Sequence, residues 1–65
     1  LQFYRRLVSE APDYLNDGGH LILEVGAGQA ESVSNLIRQI GRFFPPEVAD
    51  DYAGIPRVVQ AKLND

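Results

Sequence analysis

The chain contains no cysteine, methionine or tryptophan and a single histidine, His20. Without cysteine there can be no disulfide and no thiolate metal site. One histidine rules out a multi-histidine metal site within one chain. Charge is modest: six Lys and Arg against nine Asp and Glu give a net charge of −3. Arg5, Arg6, Arg38, Arg42, Arg57 and Lys62 are spread along the chain, so the basic patch expected of a nucleic-acid binder is missing. Long apolar runs are absent too. Leu21-Ile22-Leu23 is the longest that bears on the question, far short of the ~20 residues that span a bilayer. No signal-peptide pattern is present, and the absence of cysteine is compatible with a cytoplasmic location.

With 65 residues there is room for one small domain, covering 1–65. A domain of roughly 60 residues buries only about 60% of the surface its unfolded chain exposes. Without a disulfide or a metal, such a chain is expected to borrow stability from a partner surface or from the rest of a larger fold. Its first residue is Leu1 and not Met, as expected of a piece of a longer protein.

Hydrophobic periodicity orders the elements. Tyr4, Leu7, Val8, Ala11 and Leu15 lie on one stripe of a 3.6-residue period, which predicts a helix over residues 2 to 15. Pro12 lacks an N–H and clashes with the preceding turn, so a kink or break is expected near Ala11. Asn16-Asp17-Gly18-Gly19 ends the helix. His20 to Val25 is nearly all apolar with little alternation. That pattern suits a strand buried on both faces.

Gly26-Ala27-Gly28 is a turn. Val33, Leu36, Ile37 and Ile40 define a second helix, from about Gln29 to Ile40, with Gly41 as its C-terminal glycine. Arg42 to Ala49 is ambiguous: Phe43, Phe44 and Val48 favour a strand, but Pro45-Pro46 confine it to an edge or interrupt it. A loop over Asp50 to Pro56 precedes a last strand, Arg57 to Leu63. The order is α-β-α-β-β. The last connection is too short for a crossover, which makes the last two strands antiparallel.

The segment Leu21 to Ala30 places a strand, a glycine turn and a helix in succession. A nucleotide-type cofactor site is built this way: glycines admit the ligand close to the backbone, and the helix N-terminus offers free N–H groups. The segment looks like the first motif of class I methyltransferases, with Ala30 in place of the third glycine. A plain turn between strand and helix has the same composition.

Glu24 stands among apolar neighbours, where an unpartnered carboxylate is costly. It is expected to face a cleft, to accept hydrogen bonds from a nearby loop, or to pair with Arg57. Asp51 is a candidate for a turn with Ala53-Gly54 or an ion pair with Arg57. Asp50-Asp51 are otherwise a solvated pair, His20 an exposed and inert side chain, and Arg5-Arg6 a solvated helix face. Ser9, Ser32 and Ser34 have no base in a usable context, which leaves nucleophilic catalysis unsupported.

Several segments, in order, resemble the C-terminal end of the release factor glutamine methyltransferases. Phe3-Tyr4-Arg5-Arg6-Leu7 looks like that family's Tyr-Arg helix segment, and Gly18 to Gly26 like its fifth strand. Gln29, Val33 and Leu36 repeat its Gln-x-x-x-Val-x-x-Leu spacing. Asp51 to Val59 looks like its terminal Asp-Leu-Ala-Gly-x-x-Arg-Val-Val segment, with Tyr52 in place of leucine and Ile55-Pro56 in place of a polar pair. Pro45-Pro46 departs from the family's strand pattern.

The resemblance covers essentially all 65 residues. It implies a doubly wound class I methyltransferase domain, of which this chain is a three-stranded α/β fragment. Its last strand would be antiparallel and central, between strands five and six. Gly26-Ala27-Gly28 would then follow strand five and only look like the cofactor loop.

The resemblance implies S-adenosylmethionine as the parent's cofactor and a peptide-chain release factor as its protein substrate. The cofactor loop, the ribose-binding acid and the family's Asn-Pro-Pro-Tyr motif would lie upstream. Phe44-Pro45-Pro46-Glu47 has neither the Asn nor the Tyr. No catalytic, cofactor-binding or metal-binding residue is therefore expected within 1–65. Two other functions are compatible with the residues. One is a module that binds a nucleotide-like cofactor at Gly26-Ala27-Gly28. The other is a chain that self-associates through an open strand edge.

Overall fold

The computed structural model describes residues 2–64. Helix α1 spans Gln2–Glu10 and passes into a 3-10 turn at Ala11–Asp13. Pro12 sits at the start of that turn, where its missing N–H is not needed. The expected break near Ala11 is thus present, and the α-helix stops five residues short of Leu15. Strand β1 spans His20–Glu24, helix α2 Ala30–Ile40, strand β2 Glu47–Asp50 and strand β3 Pro56–Lys62. Gly41 ends α2 with φ of 75°, the left-handed conformation that only glycine adopts cheaply.

The sheet order is β1-β3-β2. Strand β3 is central and antiparallel to both neighbours, so β1 and β2 run the same way. Leu21 faces Ala61, Leu23 faces Val59 and Val48 faces Val59 across the ladders. As Pro45-Pro46 demand, β2 is a short edge strand. Phe43 makes an isolated bridge to Leu63 before the prolines interrupt pairing, and the register slips between Ala49 and Asp50.

Both helices lie on one face of the sheet. Val8 of α1 and Val33 and Ile37 of α2 close over Leu23, Val25, Val59 and Ala61 to form the core. Val8, Val33, Ile37 and Val59 are fully buried. The expectation that β1 is buried on both faces is not met. Leu23 and Val25 are buried, but His20, Ile22 and Glu24 are exposed, and Ile22 keeps 63% of its surface in water. The reason is the number of layers: a strand becomes dry on both sides only between two layers, and residues 2–64 supply helices to one.

Candidate functional site

Strands β1 and β2 both point their carboxyl ends to the same end of the sheet, where α/β proteins place their ligands. The structure gathers there most of the residues singled out by sequence. The Val25 N–H donates to the Arg57 carbonyl at 2.8 Å, tying the end of β1 to the start of β3. Around this seam lie the Gly26–Gln29 turn and the Asp51–Ile55 loop.

The glycine turn is closed by its own residues. The Gln29 N–H donates to the Gly26 carbonyl at 3.0 Å. In return the Gly26 N–H donates to Gln29 Oε1 at 3.1 Å. A Cβ on Gly26 would stand 2.8 Å from that same oxygen. The space that glycine leaves beside the backbone therefore holds the Gln29 amide. Gly28, at φ of 81°, supplies the left-handed step that reverses the chain. A loop that cradles phosphate or nucleotide offers free N–H groups to the ligand; in this turn the Gly26 and Gln29 N–H groups are both taken.

The second loop is also self-contained. The Asp51 carboxylate accepts the N–H of Ala53 at 2.8 Å and of Ile55 at 3.0 Å through Oδ1. Arg57 Nε lies 3.5 Å from its other oxygen, Oδ2. The Asp51 N–H and the Ile55 carbonyl close the loop at 2.8 Å, and the Gly54 N–H donates to the Asp51 carbonyl at 3.0 Å. The two roles open to Asp51 in the sequence, turn former and partner of Arg57, are thus filled together. The Ile55 N–H, helped by that of Ala53 and by Arg57, holds the Asp51 carboxyl below the usual carboxylate range. Tyr52 projects fully exposed from the loop.

Glu24 differs from its expectation. Its side chain is exposed, and Arg57 pairs with Asp51 instead. The carboxylate is not buried because β1 turns its even-numbered residues to the uncovered face. Its backbone carbonyl accepts a bond from the Tyr4 hydroxyl at 3.2 Å, a tether between α1 and the strand end that no sequence pattern announces.

His20 is exposed. Ser9 donates to the Arg6 carbonyl at 3.0 Å, and Arg6 pairs with Glu10 at 2.9 Å on the solvated face of α1. Among the described residues no group of three or more His, Cys, Asp or Glu could hold a metal ion. No helix there is long and apolar enough to cross a membrane.

Two shallow concavities lie away from this rim. One, of about 290 Å³, runs along α1 between Phe3, Leu7, Ala11 and Tyr14. The other, of about 260 Å³, lies between His20, Phe44, Glu47 and Lys62. Each is at or below the small end of ligand-pocket sizes, roughly 300 Å³.

No protein-family profile matches the chain. Individual proteins do. It is 46% identical over 63 residues to the release factor glutamine methyltransferase of Geobacter sulfurreducens, covering 97% of this chain and 22% of that protein. To the enzyme of the same name from Thermodesulfovibrio yellowstonii it is 44% identical over 59 residues, 91% of this chain and 21% of the relative. Among solved structures it is similar to the release factor-specific protein-(glutamine-N5) methyltransferase of Alicyclobacillus acidocaldarius, with a TM-score of 0.77 and 34% identity. That match covers 100% of this chain and 41% of the solved one. The chain therefore spans about a fifth of the length of the relatives it matches. In sequence and in fold it is similar to a segment of release factor glutamine methyltransferases.

Proposed function

We infer that these 65 residues are the C-terminal segment of a release factor glutamine methyltransferase. The observation that carries this is similarity along 97% of the chain to only 22% of a named enzyme, joined to a fold match over the whole chain. The central antiparallel β3 supports the placement, because a final strand inserted between strands five and six has this topology. In the parent, S-adenosylmethionine supplies the methyl group, a glutamine side chain of a release factor accepts it, and the work is done in the cytoplasm.

The segment's part in that work is architectural. It provides strands five to seven, two helices and a rim of two rigid loops. The Gly26–Gln29 turn, filled by the Gln29 amide, is a strand-to-helix joint and not a cofactor loop. No catalytic step is assigned to any residue here. Asp51 and Arg57 hold the hairpin loop in shape, and Tyr4 docks α1 on the end of β1.

The test is a transfer assay with radiolabelled S-adenosylmethionine and a release factor. The parent that contains these residues methylates the factor; the 65-residue chain does not, and calorimetry shows no heat of S-adenosylmethionine binding to it. Micromolar binding by the short chain would overturn the fragment reading in favour of a cofactor module at Gly26-Ala27-Gly28.

A further inference from the structure

The hairpin between β2 and β3 ends in an apolar tip. From Tyr52 to Pro56 every residue is exposed and none is charged. Tyr52 lies wholly in water, and Ile55 keeps 37% of its surface there. The fold gains nothing from an aromatic ring held in water, yet the loop beneath the ring is built to one shape. The Asp51 carboxylate takes the N–H groups of Ala53 and Ile55, the Asp51 N–H closes on the Ile55 carbonyl, and Gly54 turns the chain at φ of 80°. Tyr52 therefore stands between two anchored neighbours. The tip protrudes, and the two concavities described above are lined by other residues. Such a shape enters a partner's surface; a small ligand needs a concave site.

Its place in the fold points to the partner. The loop sits at the carboxyl end of β2, on the rim shared with the end of β1, where α/β proteins hold what they act on. The tip carries no cation, and Asp50 and Asp51 precede it, so a polyanion finds no charge to grip there. If the chain is part of a release factor glutamine methyltransferase, β1 is an interior strand and β2 the edge of the sheet. Phe3 and Ile22 are also exposed, but they belong to α1 and β1, on the interior side, where other parts of the enzyme can cover them. The hairpin tip lies across β3 from that side.

We propose that Tyr52 is a specificity residue for the protein substrate: its ring enters an apolar pocket of the release factor away from the acceptor glutamine, and Asp51 is the positioning residue that holds it out. The proposal rests on the functional reading above. A tyrosine on a preformed loop loses little freedom on binding. Its contact strengthens the grip on the factor and leaves the methyl-transfer step alone.

Steady-state kinetics of the full-length enzyme with a release factor tests this. Tyr52→Ala, at an exposed position, raises KM for the factor about tenfold, the scale of an interface anchor. Its kcat and its KM for S-adenosylmethionine stay within about twofold. Tyr52→Phe, which keeps the ring, restores most of the lost affinity. Asp51→Asn, which keeps the tyrosine but loosens the loop, raises the same KM by a smaller factor. An unchanged KM for the factor in Tyr52→Ala overturns the proposal, as does a loss that falls on kcat or on S-adenosylmethionine. An unaltered enzyme that fails to methylate the factor overturns the functional reading itself, and the proposal with it.

Discussion

Ser34 sits on the buried side of α2, 2% exposed, and its hydroxyl has no hydrogen-bond partner. A buried polar group left unpaired costs about 1–3 kcal/mol. Ser34→Ala is therefore expected to raise the stability by about 1 kcal/mol, read as a higher urea midpoint at unchanged slope. Asp51 is the opposite case, a carboxylate fully used. Its pKa is lower in the folded chain than in the unfolded one, so the unfolded state binds more protons as the solution is acidified. Stability from this group is fully present above the unfolded value of about 3.9 and is lost as pH falls through the lower folded value. Stability-against-pH profiles of the chain and of Asp51→Asn should accordingly converge in acid, with the unchanged chain higher above about pH 4. Parallel profiles would show that the two N–H bonds and Arg57 do not favour the charged form.

At the scale of elements, α2 is framed by two local devices. Gln29 precedes it and turns its side chain back to the Gly26 N–H, and Gly41 closes it at φ of 75°. Gln29→Ala leaves that part-buried N–H without its partner and is expected to cost about 1 kcal/mol. Gly41→Ala adds a Cβ that touches nothing within 4 Å, so its cost is purely that of the left-handed backbone, about 1 kcal/mol. Chemical denaturation of both variants checks these values. Equal stability of Gly41→Ala and the unchanged chain would mean that the helix end relaxes to another conformation. The edge strands make a contrast of their own. Proline and a register slip mark β2, whereas the Tyr4 hydroxyl reaches the end of β1 at the Glu24 carbonyl.

For the whole molecule, the single helical layer sets the limits. Core residues from α1, α2, β1 and β3 form one cluster, and among the described residues no second layer dries the face that carries Ile22. Chains below about 70–80 residues rarely draw more than about 3–5 kcal/mol from such a core. Ile37 is fully buried at its centre, and truncating a buried isoleucine to alanine costs about 2–5 kcal/mol. Ile37→Ala is expected to abolish the cooperative thermal transition seen by circular dichroism; a surviving sharp transition would show that stability comes from elsewhere.

Local chemistry determined the order α-β-α-β-β, the break at Pro12, the stop at Gly41 and the antiparallel β2–β3 hairpin, because proline, glycine and a five-residue loop act on the few residues beside them. The segments Gly18 to Gly26 and Asp51 to Val59 also carried the likeness to release factor glutamine methyltransferases. Tertiary structure alone decided which face of β1 is dry, that Glu24 looks outward and that Tyr4 holds the end of β1. Each of these depends on what packs against a residue from far along the chain. An apolar run such as Leu21-Ile22-Leu23 records what a strand can bury, but the number of layers around it sets what it does bury.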